Sequence, residues 1–234
     1  MLGVVVPAHN EADLIDECIL RIQQCAGNPR LQGEAVELVV VADACTDATA
    51  LLAANAGALI VEINARNVGL ARAMGADFLL DRGARWLAFT DADTLVSHDW
   101  LAEQLDLGAD AVCGTVGVDD WTPHGEHADL LCWHFGETYT DSDHHRHIHG
   151  ANLGVSAAAY RRAGGFKNLA CSEEVALIAA LEASGAQIAW SARPRVSTSA
   201  RRIARAAGGF ADALMEAVAD RLRTGTCPAV LPTT

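Results

Sequence analysis

The sequence predicts an α/β fold, a mainly parallel central sheet flanked by helices. Over the first hundred residues, short apolar runs alternate with segments whose apolar residues recur at helical spacing. That is the pattern of parallel strands joined by crossover helices. The runs also end abruptly in polar or acidic residues, and open α/β sheets collect functional groups at the carboxyl ends of their strands.

In chain order, Val4-Val5-Val6 ended by Pro7 reads as a buried parallel strand. Leu14, Ile15, Cys18, Ile22 and Cys25 follow at helical spacing, and Gly27-Asn28-Pro29 closes that helix. Leu38–Val41 is a second strand. Thr46–Asn55 is a helix with Thr46 or Asp47 near its N-cap and Gly57 at its end. Leu59–Ile63 is a third strand, Gly69–Leu80 a third helix, and Trp86–Thr90 a fourth strand running into an acidic triplet.

Beyond Gly108 the pattern loosens. Ala111–Val118 reads as a strand, and His127–Tyr139 as an amphipathic helix presenting Leu130, Leu131 and Phe135. A polar, His-rich stretch runs from Asp141 to His149. Strands at Ala151–Val155 and Gln187–Trp190 and helices at Ser172–Ala183 and Phe210–Arg221 complete the series. One domain is expected over 1–227, with a nucleotide-binding half to about 110, an acceptor half beyond it and a tail at 228–234.

The net charge of −13 argues against a nucleic-acid partner, because neutralising phosphates needs a basic face. Seven cysteines, an odd number without a CxxC pair, fit a reduced cytoplasmic protein. No stretch of about 18 apolar residues appears, so no transmembrane segment is expected; peripheral membrane contact stays open.

The chemistry gathers at the strand ends. Asp91-Ala92-Asp93 places two carboxylates at i and i+2 after an apolar strand. Such a pair suits a hard divalent cation that also bridges phosphates, while an Asp-rich turn capping the next helix is the competing reading. Asp43, directly after VVVA, can accept from the imide N–H of uracil or thymine, or else cap a helix. His9 offers a flat ring for a nucleobase, or is a strand-end histidine without a ligand. His145, His147 and His149 alternate, as a metal-binding strand face would, but no cysteine or HExxH frame accompanies them; a polar loop is the better reading.

These residues sit within VVVPAHNE, VVVADACTD, NVGLARAMG, FTDAD, HGANLGVSAAAYRRAGGF and SEEVALIAAL. In that order and spacing the motifs resemble the landmarks of glycosyltransferase family 2, from residue 3 to about 192. The resemblance implies a GT-A-like, Rossmann-type sandwich. It places Pro7, His9 and Glu11 in the nucleotide-facing first loop and Asp43 on the base, although Ala42 replaces the first acid of the family's pair. It implies that Asp93 is the direct ligand of Mn²⁺ or Mg²⁺ and that Asp91 lies nearer the ribose or a metal-bound water. Arg72 is implied beside the diphosphate, and Glu174 as the catalytic base of an inverting enzyme, with Glu173 next to it. His149, Gly150 and Asn152 fall on the acceptor side. The implied partners are a UDP- or dTDP-sugar, with GDP the other candidate, and a hydroxyl-bearing acceptor. A sugar-1-phosphate nucleotidyltransferase would need a glycine-rich loop after the first strand, which PAHNE does not supply. A non-catalytic nucleotide-sugar binding module would have no use for the acid at 174.

Overall fold

The structure, a computed structural model, describes residues 1–169, 171–202 and 210–224. The expected boundary at 227, Cys227 and the tail lie outside them. The described elements are β1 (Leu2–Ala8), α1 (Ile15–Ala26), β2 (Val36–Asp43), α2 (Thr49–Asn55), β3 (Leu59–Ile63), α3 (Val68–Asp81), β4 (Trp86–Phe89), β5 (Thr94–Val96), α4 (Trp100–Asp106), β6 (Ala111–Gly117), α5 (Ala128–Thr138), β7 (Leu153–Ser156), α6 (Ala157–Ala163), α7 (Glu173–Ala183), β8 (Ile188–Thr198) and α8 (Phe210–Thr224).

All eight strands join one mixed sheet in the order β3-β2-β1-β4-β7-β6-β8-β5. β3, β2, β1 and β4 are mutually parallel, as the alternation predicts. β7 enters antiparallel to both β4 and β6, β8 pairs parallel with β6, and β5 closes the edge antiparallel. The sheet therefore continues across the residue-110 division drawn from the sequence.

Side-chain alternation sorts the strands onto two cores. Val4 and Val6 of β1, Val40 of β2, and Trp86 and Ala88 of β4 face the core that also holds Ile15, Ile19 and Ile22 of α1. Val5, Val39, Val41, Leu87 and Phe89 face the opposite core, with Leu79 of α3 and Leu177, Ile178 and Leu181 of α7. A strand buried on both faces has no polar side to show, which is why these strands read as unbroken apolar runs. α3 lies close on the sheet because Gly75 has no side chain. A Cβ there would stand 2.5 Å from Val5 Cγ1 and 3.0 Å from Val41 Cγ2.

Several elements differ from the sequence expectation. α2 begins at Thr49 rather than Thr46, because Asp47 Oδ1 accepts from the Thr49 N–H and holds the preceding turn. β5, α4 and α6 carried no clear periodicity, being three to seven residues long. β8 runs on to Thr198, past Pro194. Proline has no N–H for a ladder, and the register against β6 jumps there: Gly114 faces Ser191, and Thr115 faces Arg195.

The chain groups into two compact units, Met1–Gly117 with Asp141–Thr198, and Val118–Thr140 with the described residues from Ser199 onward. The second has its own small core of Leu131, Ala200, Leu214 and Val218. Within it Phe135 stacks on Tyr139 at 4.6 Å and meets Phe210 edge-on. No helix among the described residues is long and apolar enough to cross a membrane.

Candidate active site

β2, β1 and β4 are adjacent and parallel, so Asp43, the loop after Ala8 and Asp91 emerge on one edge of the sheet. Pro7 lies inside β1 opposite Val41. Glu11 is buried, and its N–H donates to Thr49 Oγ1 at 2.8 Å, which fastens the first loop to α2.

Asp43 does more structural work than its position after a strand suggests. Its Oδ1 accepts from the N–H groups of Ala65 (2.7 Å) and Arg66 (2.8 Å), and its Oδ2 from that of Asn67 (2.7 Å). A carboxylate has about four acceptor positions, so one remains for a ligand. His9 Nδ1 donates to the Asp43 carbonyl at 2.7 Å, which leaves Nε2 as the acceptor facing Arg66 Nη1 and the Asn10 amide. The ring is held on both sides. Asn10, Ala44 and Arg66 have φ of 54°, 51° and 53°. Left-handed backbone costs roughly 1–2 kcal/mol at a non-glycine residue, and such residues cluster where a site over-determines them. Arg66 was not singled out from the sequence, where it reads as an ordinary loop arginine.

The second half of the site is built around Arg72, on the first turns of α3. Its guanidinium is buried, donating from Nη2 to Asp91 Oδ1 at 2.6 Å and from Nη1 to Glu173 Oε1. Phe166 lies 6.0 Å from its Cζ. Gly150 backs it; any Cβ at that position would overlap the guanidinium. Gly150 therefore makes room for Arg72. Burial works against the Arg72 charge, but Asp91, Glu173 and Glu174 outweigh it and hold the group firmly cationic. Each Nη group donates to one carboxylate, and Nε is buried with no acceptor among the described residues.

Glu173 and Glu174 open α7. Glu173 is 2% exposed, whereas Asp91 retains 36% of its side-chain surface. Burial first, and the Glu173 charge second, push the Glu174 carboxyl above the usual range, against the pull of Arg72. His149 belongs to a ladder of rings: His145–His147 centroids lie 5.5 Å apart and His147–His149 5.8 Å apart, nearly parallel. Burial, then His147 and His145, push His149 down to about 4 despite the opposing charge of Asp91. It is neutral at physiological pH. Beneath the acids, Cys18 donates from Sγ to the Asp91 carbonyl at 3.5 Å, and burial with the charges of Asp93, Asp91 and Glu11 keeps it a thiol. Helical periodicity marked Cys18 only as core.

Asn152 corrects the sequence reading. It is fully buried; Oδ1 accepts from Trp100 Nε1 at 2.8 Å, and Nδ2 donates to the carbonyls of Thr115 (2.7 Å) and Pro194 (2.8 Å). Those are the two sides of the register jump between β6 and β8. The amide is engaged in sealing an irregular sheet and, fully buried, presents no group to an acceptor hydroxyl.

Among the described residues, no three His, Cys, Asp or Glu side chains converge on one point, the histidine ladder included. Asp91 and Asp93 are the hard oxygen donors at the end of β4, one Asp91 oxygen being tied to Arg72. Such a pair suits Mg²⁺ or Mn²⁺ only if phosphate oxygens and water complete the shell.

The profile of the family described as Glycosyl transferase family 2 matches residues 3–164. The chain belongs to glycosyl transferase family 2. No curated protein matched. Among solved structures, this family 2 member is similar to the mannosyltransferase PcManGT from Pyrobaculum calidifontis, in complex with GDP-Man and Mn²⁺. Identity is 22% and the TM-score 0.61, covering 97% of this chain and 65% of that one. S. aureus TarS 1–349 in complex with UDP-GlcNAc gives 16% identity and a TM-score of 0.63, covering 99% and 68%. Glucosyl-3-phosphoglycerate synthase from Mycobacterium tuberculosis, with Mn²⁺, UDP and phosphoglyceric acid, gives 18% and 0.59, covering 98% and 80%. A second structure of TarS 1–349 aligns with 85% of this chain, which spans 60% of that structure's length and 65% of PcManGT, less than two thirds of either. These likenesses establish the GT-A fold.

Proposed function

We propose that this family 2 member transfers a sugar from a nucleoside diphosphate to an acceptor hydroxyl, with inversion at the anomeric carbon. The observation that carries the reading is the cluster in which one buried arginine joins Asp91, at the end of β4, to Glu173, beside Glu174 at the start of α7. On this reading the donor-side acid Asp91 and the acceptor-side acid Glu173 share one arginine.

Glu174 is the general base. It takes the proton from the acceptor hydroxyl as that oxygen attacks the anomeric carbon and the bond to the diphosphate breaks. Its raised carboxyl brings it toward the operating pH, which favours a base. Glu173 is held by Arg72 directly beside Glu174. His149, neutral and within electrostatic reach of Asp91, is the acceptor-side candidate. Asp93 and the second oxygen of Asp91 would hold Mn²⁺ or Mg²⁺, which would neutralise charge on the departing nucleoside diphosphate.

On the base side, His9 provides the flat face, and the remaining acceptor position of Asp43 suits a uracil or thymine imide. The solved relatives carry UDP, UDP-GlcNAc or GDP-Man, so GDP is the alternative donor base. A cytoplasmic location fits the free cysteines among the described residues.

A thermal-shift screen of UDP-, dTDP- and GDP-sugars, each with and without Mn²⁺, tests the reading. The expected outcome is a metal-dependent rise in melting temperature for at least one donor, largest for UDP or dTDP. A flat response to all of them overturns it.

A further inference from the structure

Arg72 joins three elements that the chain keeps far apart. It sits on α3, Asp91 follows β4, and Glu173 begins α7. Its anchorage is rigid. The Asn67 side chain caps α3 through the Leu70 N–H at 2.8 Å, and Gly75 seats the same helix directly on Val5 and Val41. The guanidinium fills the notch at Gly150, with Phe166 on another side. Its two Nη groups reach one carboxylate each, and Arg72 is 4% exposed. Nε is buried with no acceptor among the described residues. A group clamping a diphosphate needs donors within reach of solvent and the ligand; two of the five N–H groups of Arg72 are turned toward protein carboxylates, and burial withdraws the rest from solvent.

We propose that Arg72 is a positioning residue: it fixes the Asp91 carboxylate relative to the Glu173–Glu174 pair, so that transfer, rather than donor affinity, depends on it. This rests on the roles given above to Asp91 and Glu174. The planar fork is what allows two carboxylates to be set at once, and lysine, a single point charge, cannot reproduce it. Displacing reacting groups by about 1 Å costs on the order of 10²-fold in rate, while the contacts around His9 and Asp43 are untouched.

The test uses Arg72→Lys, which keeps the buried charge that Glu173 needs, and Gly150→Ala, which leaves Arg72 in place but pushes its guanidinium from the notch. Calorimetry gives the Kd for the nucleoside diphosphate with Mn²⁺, and steady-state transfer gives kcat and donor KM. In both variants kcat should fall about 10²-fold with Kd and KM near the parental values. Arg72→Lys added to Glu173→Gln should cost much less than it does alone, since the two act through one contact. A raised Kd with unchanged kcat makes Arg72 a diphosphate contact and overturns the proposal; unchanged kcat and Kd make it a core charge and overturn it too. If Arg72→Lys fails to fold, Gly150→Ala carries the same split. A parental protein that neither binds nor turns over any nucleotide sugar removes the proposed function as well, whereas a working parent with indifferent variants removes this inference alone.

Discussion

Glu174 and Asn152 show how polar side chains take opposite roles according to burial and partners. Glu174 opens α7 with its carboxyl raised by burial and by Glu173. As a base it must be unprotonated, so kcat/KM should climb as pH rises through that elevated value, and a pH–rate profile should show this limb. Glu174→Gln keeps the shape without the basicity. Transfer should fall about 10²–10⁴-fold with donor affinity nearly constant, and parental-rate transfer would reduce Glu174 to a helix-end charge. Stability responds with the opposite sense. A carboxyl whose folded pKa is raised contributes stability below its ordinary range and loses it as pH rises through the folded value. The unliganded Glu174→Gln protein should therefore melt higher than the parent near neutral pH. Asn152, whose amide groups all have partners, should behave otherwise. Asn152→Ala orphans the Trp100 N–H and the Thr115 and Pro194 carbonyls, at about 1–3 kcal/mol for each group left unpaired, readable in urea unfolding. Asparagine beside a small-residue strand reads equally well as a ligand group or a plug. Only its surroundings decide.

At the scale of elements, the strand ends were legible because their strands are buried on both faces and stop sharply. Asp43 was found this way, but its partners were not, since Ala65, Arg66 and Asn67 offer backbone N–H groups that no side-chain pattern announces. The consequence is testable. Asp43→Ala should lower the melting temperature and weaken nucleotide binding together, because the loop carrying Arg66 loses its anchor. Lost binding with unchanged melting would assign Asp43 to the base alone. β5, α4 and α6 escaped for another reason: seven residues make two helical turns, too few for periodicity to rise above composition. The strand expected at Gln187–Trp190 runs on to Thr198, because the register jump around Pro194 hides the part that resumes with Arg195.

Across the whole molecule, binding of donor and metal is linked to folding. Two carboxylates leave most of a cation's shell to phosphate and water, so Mn²⁺ alone should shift the melting curve little. Mn²⁺ with the nucleoside diphosphate at about 100 times its Kd should add about 2.7 kcal/mol. Asp93→Ala should abolish the metal-dependent part in calorimetry while the protein stays folded, and unchanged binding would remove Asp93 from the site.

The α/β class, the parallel β3-β2-β1-β4 half of the sheet and the acids at its edge were determined by the sequence itself, because burial on two faces and abrupt polar endings are local properties of a chain. The antiparallel entry of β7, the pairing of β8 with β6 and the meeting of Arg72 with Asp91 and Glu173 were decided only in three dimensions. Glu173 lies 101 residues from Arg72, and nothing local marks the pair. A glutamate at a helix start is favourable against the helix dipole wherever it falls, and an arginine on a helix is ordinarily a solvated charge. What turns them into a buried pair is the packing of α3 and α7 on one core, with a glycine at 150 to receive the guanidinium.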